Sequence, residues 1–225
     1  MRYYPVFLDI KDKPCVVVGG GEVAFRKAES LLSAGANVSV IAPGANKEIL
    51  ALAKKGAIRL VKRGYKEGDL KGAFLVISAT GSKEVNRAVC KDASRAGALI
   101  NVVDDPELCG FIVPSIIDRG NLLIAISTSG LSPLLAKALR EELEGYIGEE
   151  YGDFVEVLGA VRRKLLKNGA NRVKKEGVMK ELVYSPIPLW LSSGEARKIN
   201  SFLKKHVGVG YTLSKLGIRL KGRKG

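Results

Sequence analysis

The sequence predicts an α/β fold: a doubly wound parallel sheet, then a hairpin and a helical C-terminal part. Three observations carry this. Short apolar, β-branched runs alternate with amphipathic stretches of helical period through about the first hundred residues. A glycine cluster joins the first run to the first helix. Near Gly110 the alternation gives way to two adjoining strands, and beyond Glu149 the strand signals fade.

The elements follow in order. "CVVVG" is apolar throughout and ends in glycine, as a strand buried on both faces should be. "EVAFRKAESLLSAG" places Val23, Ala24, Ala28, Leu31 and Leu32 on one helical face, with Gly35 closing it. "NVSVIAP" is a strand, "NKEILALAKKG" a helix, and "IRLVKR" and "GAFLVISAT" are strands. "SKEVNRAVCKDASRAG" is a helix with Ser82 as N-cap and Gly97 at its end, and "ALINVVDD" is the next strand. "GFIVPSIIDRGNLLIAIST" reads as two antiparallel strands about the turn Asp118–Asn121. In "GLSPLLAKALREELEGYI", Ser132 caps, Pro133 takes the first helical position, and Leu135, Leu139, Leu143 and Tyr146 form an apolar stripe. Three basic helices follow, with "SPIPLW" as a loop between the last two and "GRKG" as a frayed end.

Composition narrows the function. Hydrophobic residues make up 46% of the 225-residue chain, ordinary for a globular protein, and no apolar run is long enough to cross a membrane. The N-terminus carries charges too early for a secretory signal. Cys15, Cys90 and Cys109 are odd in number and lack CxxC spacing, which fits free thiols in a reducing cytoplasm. Residues 1–158 carry 20 Lys+Arg and 20 Asp+Glu, so the whole net charge of +14 sits in residues 159–225. That excess is either a set of solvated helix faces or a surface for a polyanion. No His/Cys cluster suggests a metal site, and the lone histidine, His206, reads as a surface residue.

Gly19-Gly20-Gly21-Glu22-Val23-Ala24 fits G-x-G-x-x-A between a strand and a helix. The first glycine permits the sharp turn, the second admits a pyrophosphate to the backbone amides, and the small Ala24 lets helix and strand approach. The plainer alternative is a tight structural turn. The second strand ends Ile41-Ala42-Pro43-Gly44, without the carboxylate usual for the ribose of NAD and without an arginine for NADP. Adenosine recognition would then use backbone around Pro43 and Gly44, with Ala79 and Thr80 from the fourth strand. Lys27 reads as a solvated charge, while Arg26 reads either as one or as a group aimed at a substrate's carboxylates or a partner subunit.

Together "VVVGGGEVAFRKAESLLSAGA", "SAT" and "INVVDDPELCGFIVPSIIDRGNLLIAISTSGLSPLLAKALREELE" resemble the precorrin-2 dehydrogenase/sirohydrochlorin ferrochelatase family, the dehydrogenase–chelatase part of siroheme synthases. The resemblance runs continuously over about residues 1–148. It implies an NAD-binding Rossmann domain (1–112), a dimerisation segment (113–148) and a basic helical domain (149–225). The implied reaction is NAD-dependent oxidation of precorrin-2 to sirohydrochlorin, and in many members the same pocket also inserts ferrous ion to give siroheme. It also implies a cytoplasmic homodimer with a polycarboxylate tetrapyrrole substrate, which a basic C-terminal third would complement; neither nucleic acid nor membrane is expected as a partner. Cofactor contacts carry over to Gly21, Glu22, Val23, Pro43 and Gly44, beside Gly19, Gly20, Ala79 and Thr80 from the loops themselves.

The family's catalytic carboxylate, a general base or proton relay, falls on Asp104. The residues support it independently, because Asp104 follows the C-terminal end of a strand, where open α/β sheets bind ligands. Asp105 reads as the initiator of an Asp-Pro turn. Thr128 stands where some members have serine, at the substrate mouth, and is a candidate polar contact or phosphate acceptor; an ordinary strand-end threonine is the plainer reading. The competing class is a non-enzymatic NAD-sensing module, which would not need Asp104 or the hairpin motif.

Overall fold

The computed structural model describes residues 2–219, so the "GRKG" end lies outside the described residues. The chain divides between Val113 and Pro114 into two compact units.

In the first unit, five parallel strands form a sheet of order β3-β2-β1-β4-β5: β1 Pro14–Val18, β2 Asn37–Ile41, β3 Arg59–Val61, β4 Leu75–Ser78 and β5 Leu99–Val102. The connections run through α1 Glu22–Ser33, α2 Lys47–Lys54 and α3 Lys83–Ala96. Alternation along each strand feeds two cores. Cys15, Val17, Val38, Val40, Leu75 and Ile77 pack with Ala24, Ala28 and Leu31 of α1 and Ile49 of α2. Val16, Val18, Ile41, Val76, Ile100 and Val102 pack with Val89 and Ala93 of α3. Burial on both faces is why these strands read as unbroken apolar runs. The third strand is shorter than "IRLVKR" suggests, and the fifth stops at Val102, leaving Asp104 in the following turn. Strand order reverses between β1 and β4, the place in such sheets where the loops part and leave a crevice.

The second unit opens with the hairpin β6 Ser115–Arg119 and β7 Leu122–Ile126, antiparallel across Gly120-Asn121. The run from Gly110 to Pro114, expected as the start of the first hairpin strand, lies outside it. Helix α4, Pro133–Tyr146, is capped by the Ser132 hydroxyl, which accepts from the Leu135 amide at 3.2 Å. Its apolar stripe stays largely outside the core of the chain: Leu135, Leu139 and Tyr146 are exposed, as are the neighbouring Leu131 and Leu134. Helices α5 Glu150–Lys167, α6 Arg172–Val183, α7 Ile187–Ser192 and α8 Ala196–His206 enclose a core of Phe154, Val157, Val161, Leu182, Ile187, Ile199 and Leu203. The short α7 corrects the loop expected from "SPIPLW". Its two prolines precede or occupy the first turn, where no intrahelical N–H is needed. Among the described residues, no helix is long and apolar enough to cross a membrane.

Candidate cofactor cleft and catalytic carboxylate

The glycine loop is clamped between two neighbouring loops. Gly19 has φ +133°, and its amide donates to the Ile41 carbonyl at 2.9 Å. A Cβ on Gly19 would lie 2.3 Å from the Ala79 carbonyl oxygen. Gly20 is tighter still: its Cβ would fall 1.8 Å from the Gly44 oxygen, while its own carbonyl accepts from the Asn46 amide at 2.9 Å. Gly21 has open space around it and an ordinary φ of −86°. Thus the middle glycine, a free position in G-x-G-x-x-A, is required here by packing, and Gly21 leaves room for a ligand.

Helix α1 starts at Gly21 with no side-chain cap, whereas α2 and α3 are capped by Asn46 and Ser82. Uncapped amides at a helix start, next to a glycine without a Cβ, suit a diphosphate. Glu22 and Val23 are the first two helical residues; their side chains do not line the cleft, so any contact they make with a cofactor would be through backbone N–H. The cleft, about 740 Å³, is walled by Gly19, Gly20, Gly21, Pro43, Gly44, Ala79 and Thr80, all expected from the sequence. Val18, Ile41, Ala45, Gly64, Tyr65, Gly81, Ser82 and Val85 complete it, beyond the residues expected to contact a cofactor. A dinucleotide fits this donor set.

Buried polar groups hold the walls. The Ser78 hydroxyl donates to Asn86 Oδ1 at 2.7 Å, the Thr80 hydroxyl donates to the same oxygen at 3.1 Å, and Asn86 Nδ2 donates to the Thr80 carbonyl at 3.3 Å. Asn86 on α3 therefore fixes the turn after β4. On the other side, the Tyr65 hydroxyl donates to Asp92 at 2.5 Å, and Arg63 grips Asp69 through two bonds of 2.7 and 2.6 Å. Burial, then the bond to Asp92, raises the Tyr65 phenol far above its usual range, so it stays neutral. The Arg63 guanidinium holds the Asp69 carboxyl below the ordinary carboxylate range.

Asp104 lies at the same end of the sheet. Val18, Ser78 and Val102 are in register, and the Val103 amide donates to the Ser78 carbonyl at 2.9 Å. Asp104 is thus level with the glycine loop and two strands away, roughly 10 Å by strand spacing. Its side chain is exposed, and its φ of +61° is left-handed, a conformation Asp tolerates better than most residues. The turn is stapled from beneath by Cys109. Its Sγ accepts from the Val102 amide at 3.2 Å and sits 3.2 Å from the Val102 and Asp105 carbonyls. Burial raises the thiol, keeping it protonated and able to donate. Asn101 Nδ2 donates to the Phe111 carbonyl at 3.0 Å and closes the loop. Asp105 precedes a 3-10 turn, Pro106–Leu108.

In the second unit, the Thr128 hydroxyl accepts from the Ser132 amide at 3.0 Å and donates to its carbonyl at 2.9 Å, bracing the turn before α4.

A model of an NAD(P)-binding family matches residues 6–115, and a model of the sirohaem biosynthesis protein central region matches residues 119–146. The siroheme synthase of Photobacterium profundum is 44% identical over 74% of this chain and 36% of its own length. That of Thioalkalivibrio sulfidiphilus is 37% identical over 93% of this chain and 43% of its own. The solved structure of SirC, precorrin-2 dehydrogenase, superposes with a TM-score of 0.75 at 30% identity, covering 90% of this chain and 98% of that one. The chain belongs to the precorrin-2 dehydrogenase family.

This family member spans roughly two-fifths of the length of the siroheme synthases it matches, 36% and 43% in the two cases above. Its first unit gathers seven of the nine expected cofactor residues around one cleft, Glu22 and Val23 excepted, and sets Asp104 at the same end of the sheet. Thr128 and the basic helices belong to the second unit. The reading of Lys27 as a solvated charge needs correction: it is half-buried, and desolvation followed by the neighbouring Arg26 charge lowers its pKa, while Arg26 is the exposed one. His206 Nδ1 donates to the Glu181 carboxylate at 3.0 Å, and its ring stacks on Phe202 with centroids 4.1 Å apart. Among the described residues, no three His, Cys, Asp or Glu side chains gather as metal ligands would.

Proposed function

We propose that this chain oxidises precorrin-2 to sirohydrochlorin with NAD. One observation carries the proposal: an uncapped helix start and an open glycine at the strand-order switch, with an exposed carboxylate level with them at the same end of the sheet. When bound, NAD supplies the hydride acceptor. The chain's own residues then do three things. The amides opening α1 seat the diphosphate. The Asn86 and Tyr65 braces hold the cleft walls, which would keep a bound nicotinamide in a fixed position against the substrate. Asp104 accepts the proton released as the substrate loses a hydride, which leaves atoms and charge balanced.

The chain acts as a homodimer in this reading. Support comes from the exposed Leu131, Leu134 and Leu135 and from the outer hairpin residues Ile116 and Leu123, an apolar surface that a monomer would leave in water. Ferrous ion insertion would call on the same carboxylate to take protons from the macrocycle's pyrroles.

Incubation of the chain with precorrin-2 and NAD tests the proposal. The expected result is reduced nicotinamide and the sirohydrochlorin spectrum in equal amounts. NAD binding without turnover would favour a sensor. Adding cobaltous or ferrous ion to the product mixture tests the chelatase step. Sedimentation of wild type against Leu134→Glu tests the dimer, which the variant should weaken.

A further inference from the structure

The second unit holds a concavity of its own. Helix α5 brings Ala160, Arg163, Lys164 and Lys167, at i, i+3, i+4 and i+7, onto one stripe. Val157, Val161 and Leu165 take the buried side. With Asn168, Lys215 and Leu216, that stripe walls a space of about 430 Å³. Among the described residues, four cations line it and no carboxylate does. Lys164 is half-buried and held in place. Its Nζ donates to the Gly210 carbonyl at 2.7 Å, lies 3.5 Å from that of Lys215, and sits 5.2 Å from the Tyr211 ring centre. Those partners orient the ammonium without cancelling its charge. The three acids that follow residue 158 are engaged elsewhere: Glu176 with Arg172, Glu181 with His206 and Glu195 with Lys198. The positive excess of the C-terminal third thus has a concave focus with no internal counter-charge among the described residues.

We propose that this concavity binds a small polyanion bearing phosphate groups, about the size of pyrophosphate. The Arg163 fork suits a phosphate face, and the lysines act as point charges around it. A multiply charged phosphate matches four cations better than a single carboxylate. The space is little more than half that of the cofactor cleft, too small for a macrocycle or a whole dinucleotide. The site is independent of the dehydrogenase reading.

Calorimetric titration of the full chain with inorganic pyrophosphate tests this, at low salt and with NAD saturating so that the glycine loop is occupied. Citrate serves as the carboxylate arm. Lys167 and Lys215 are exposed, so the double variant K167Q/K215Q leaves the core intact; K174Q/K180Q on α6 is the control. One pyrophosphate per chain is expected, weakened at least about tenfold in K167Q/K215Q and less than about twofold in the control. Absence of saturable binding, equal weakening in both double variants, or citrate binding as tightly as pyrophosphate would each overturn the proposal. NAD affinity should be the same in all three proteins.

Discussion

Alanine at Gly20 and alanine at Gly21 should both weaken NAD binding but differ in stability, although the two positions are adjacent and equally small. At Gly20 the new methyl would sit 1.8 Å from the Gly44 oxygen and 3.0 Å from the Ala42 Cβ. Non-bonded carbon and oxygen need more than about 3 Å, so the two loops must part by more than about 1 Å. Overpacking of this kind costs about 1–3 kcal/mol, and loss of the Asn46-to-Gly20 bond about 1 more. Gly20→Ala should therefore lose about 2–4 kcal/mol of stability together with most NAD affinity. At Gly21 the methyl meets nothing within 4 Å and φ is ordinary, so the fold should keep its stability. The methyl instead enters the space left for the diphosphate, and NAD should bind ~10–100-fold more weakly, the scale set by a displacement of about 1 Å at a positioned ligand. Urea unfolding and NAD titration on both variants check this. Gly20→Ala with wild-type stability, or Gly21→Ala with wild-type NAD affinity, would refute the reasoning.

Two further outcomes follow from the braces around the cleft. Asn86→Ala removes the shared partner of Ser78 and Thr80, leaves a buried hydroxyl unmet, and should cost about 2–3 kcal/mol in urea unfolding while weakening NAD. Asp69, held low by Arg63, contributes stability that is fully present above its unfolded pKa of about 3.9 and is lost as pH falls through its lower folded value. Asp69→Asn should thus lower the urea midpoint at pH 7, and the gap to wild type should close in acid.

The alternation of strands and helices was legible because both sheet faces are covered, so the strands are continuously apolar while each helix shows one buried stripe. The glycine loop and the Asp104 turn were legible as motifs at the ends of such strands. What stayed hidden depends on tertiary contact. Gly20 occupies a free motif position, and only the approach of Gly44 makes it obligatory. Ser78 and Asn86 are eight residues apart on different elements, and their bond appears only when α3 folds back on β4. Tyr65 looks like any loop tyrosine until Asp92 anchors it. Prolines in "SPIPLW" signal a break, yet at a helix start they fit. The stripe of α4 was visible, but its exposure was not.

In the proposed reaction Asp104 takes the proton while hydride leaves for the cofactor at the glycine-loop cleft. Asparagine keeps the size and the tolerance for left-handed φ that the turn requires, so Asp104→Asn isolates the carboxylate. Rapid-mixing measurement of nicotinamide reduction by precorrin-2 should show a rate reduced at least about a hundredfold, with NAD affinity unchanged. Nicotinamide reduction at the wild-type rate in Asp104→Asn would contradict the account.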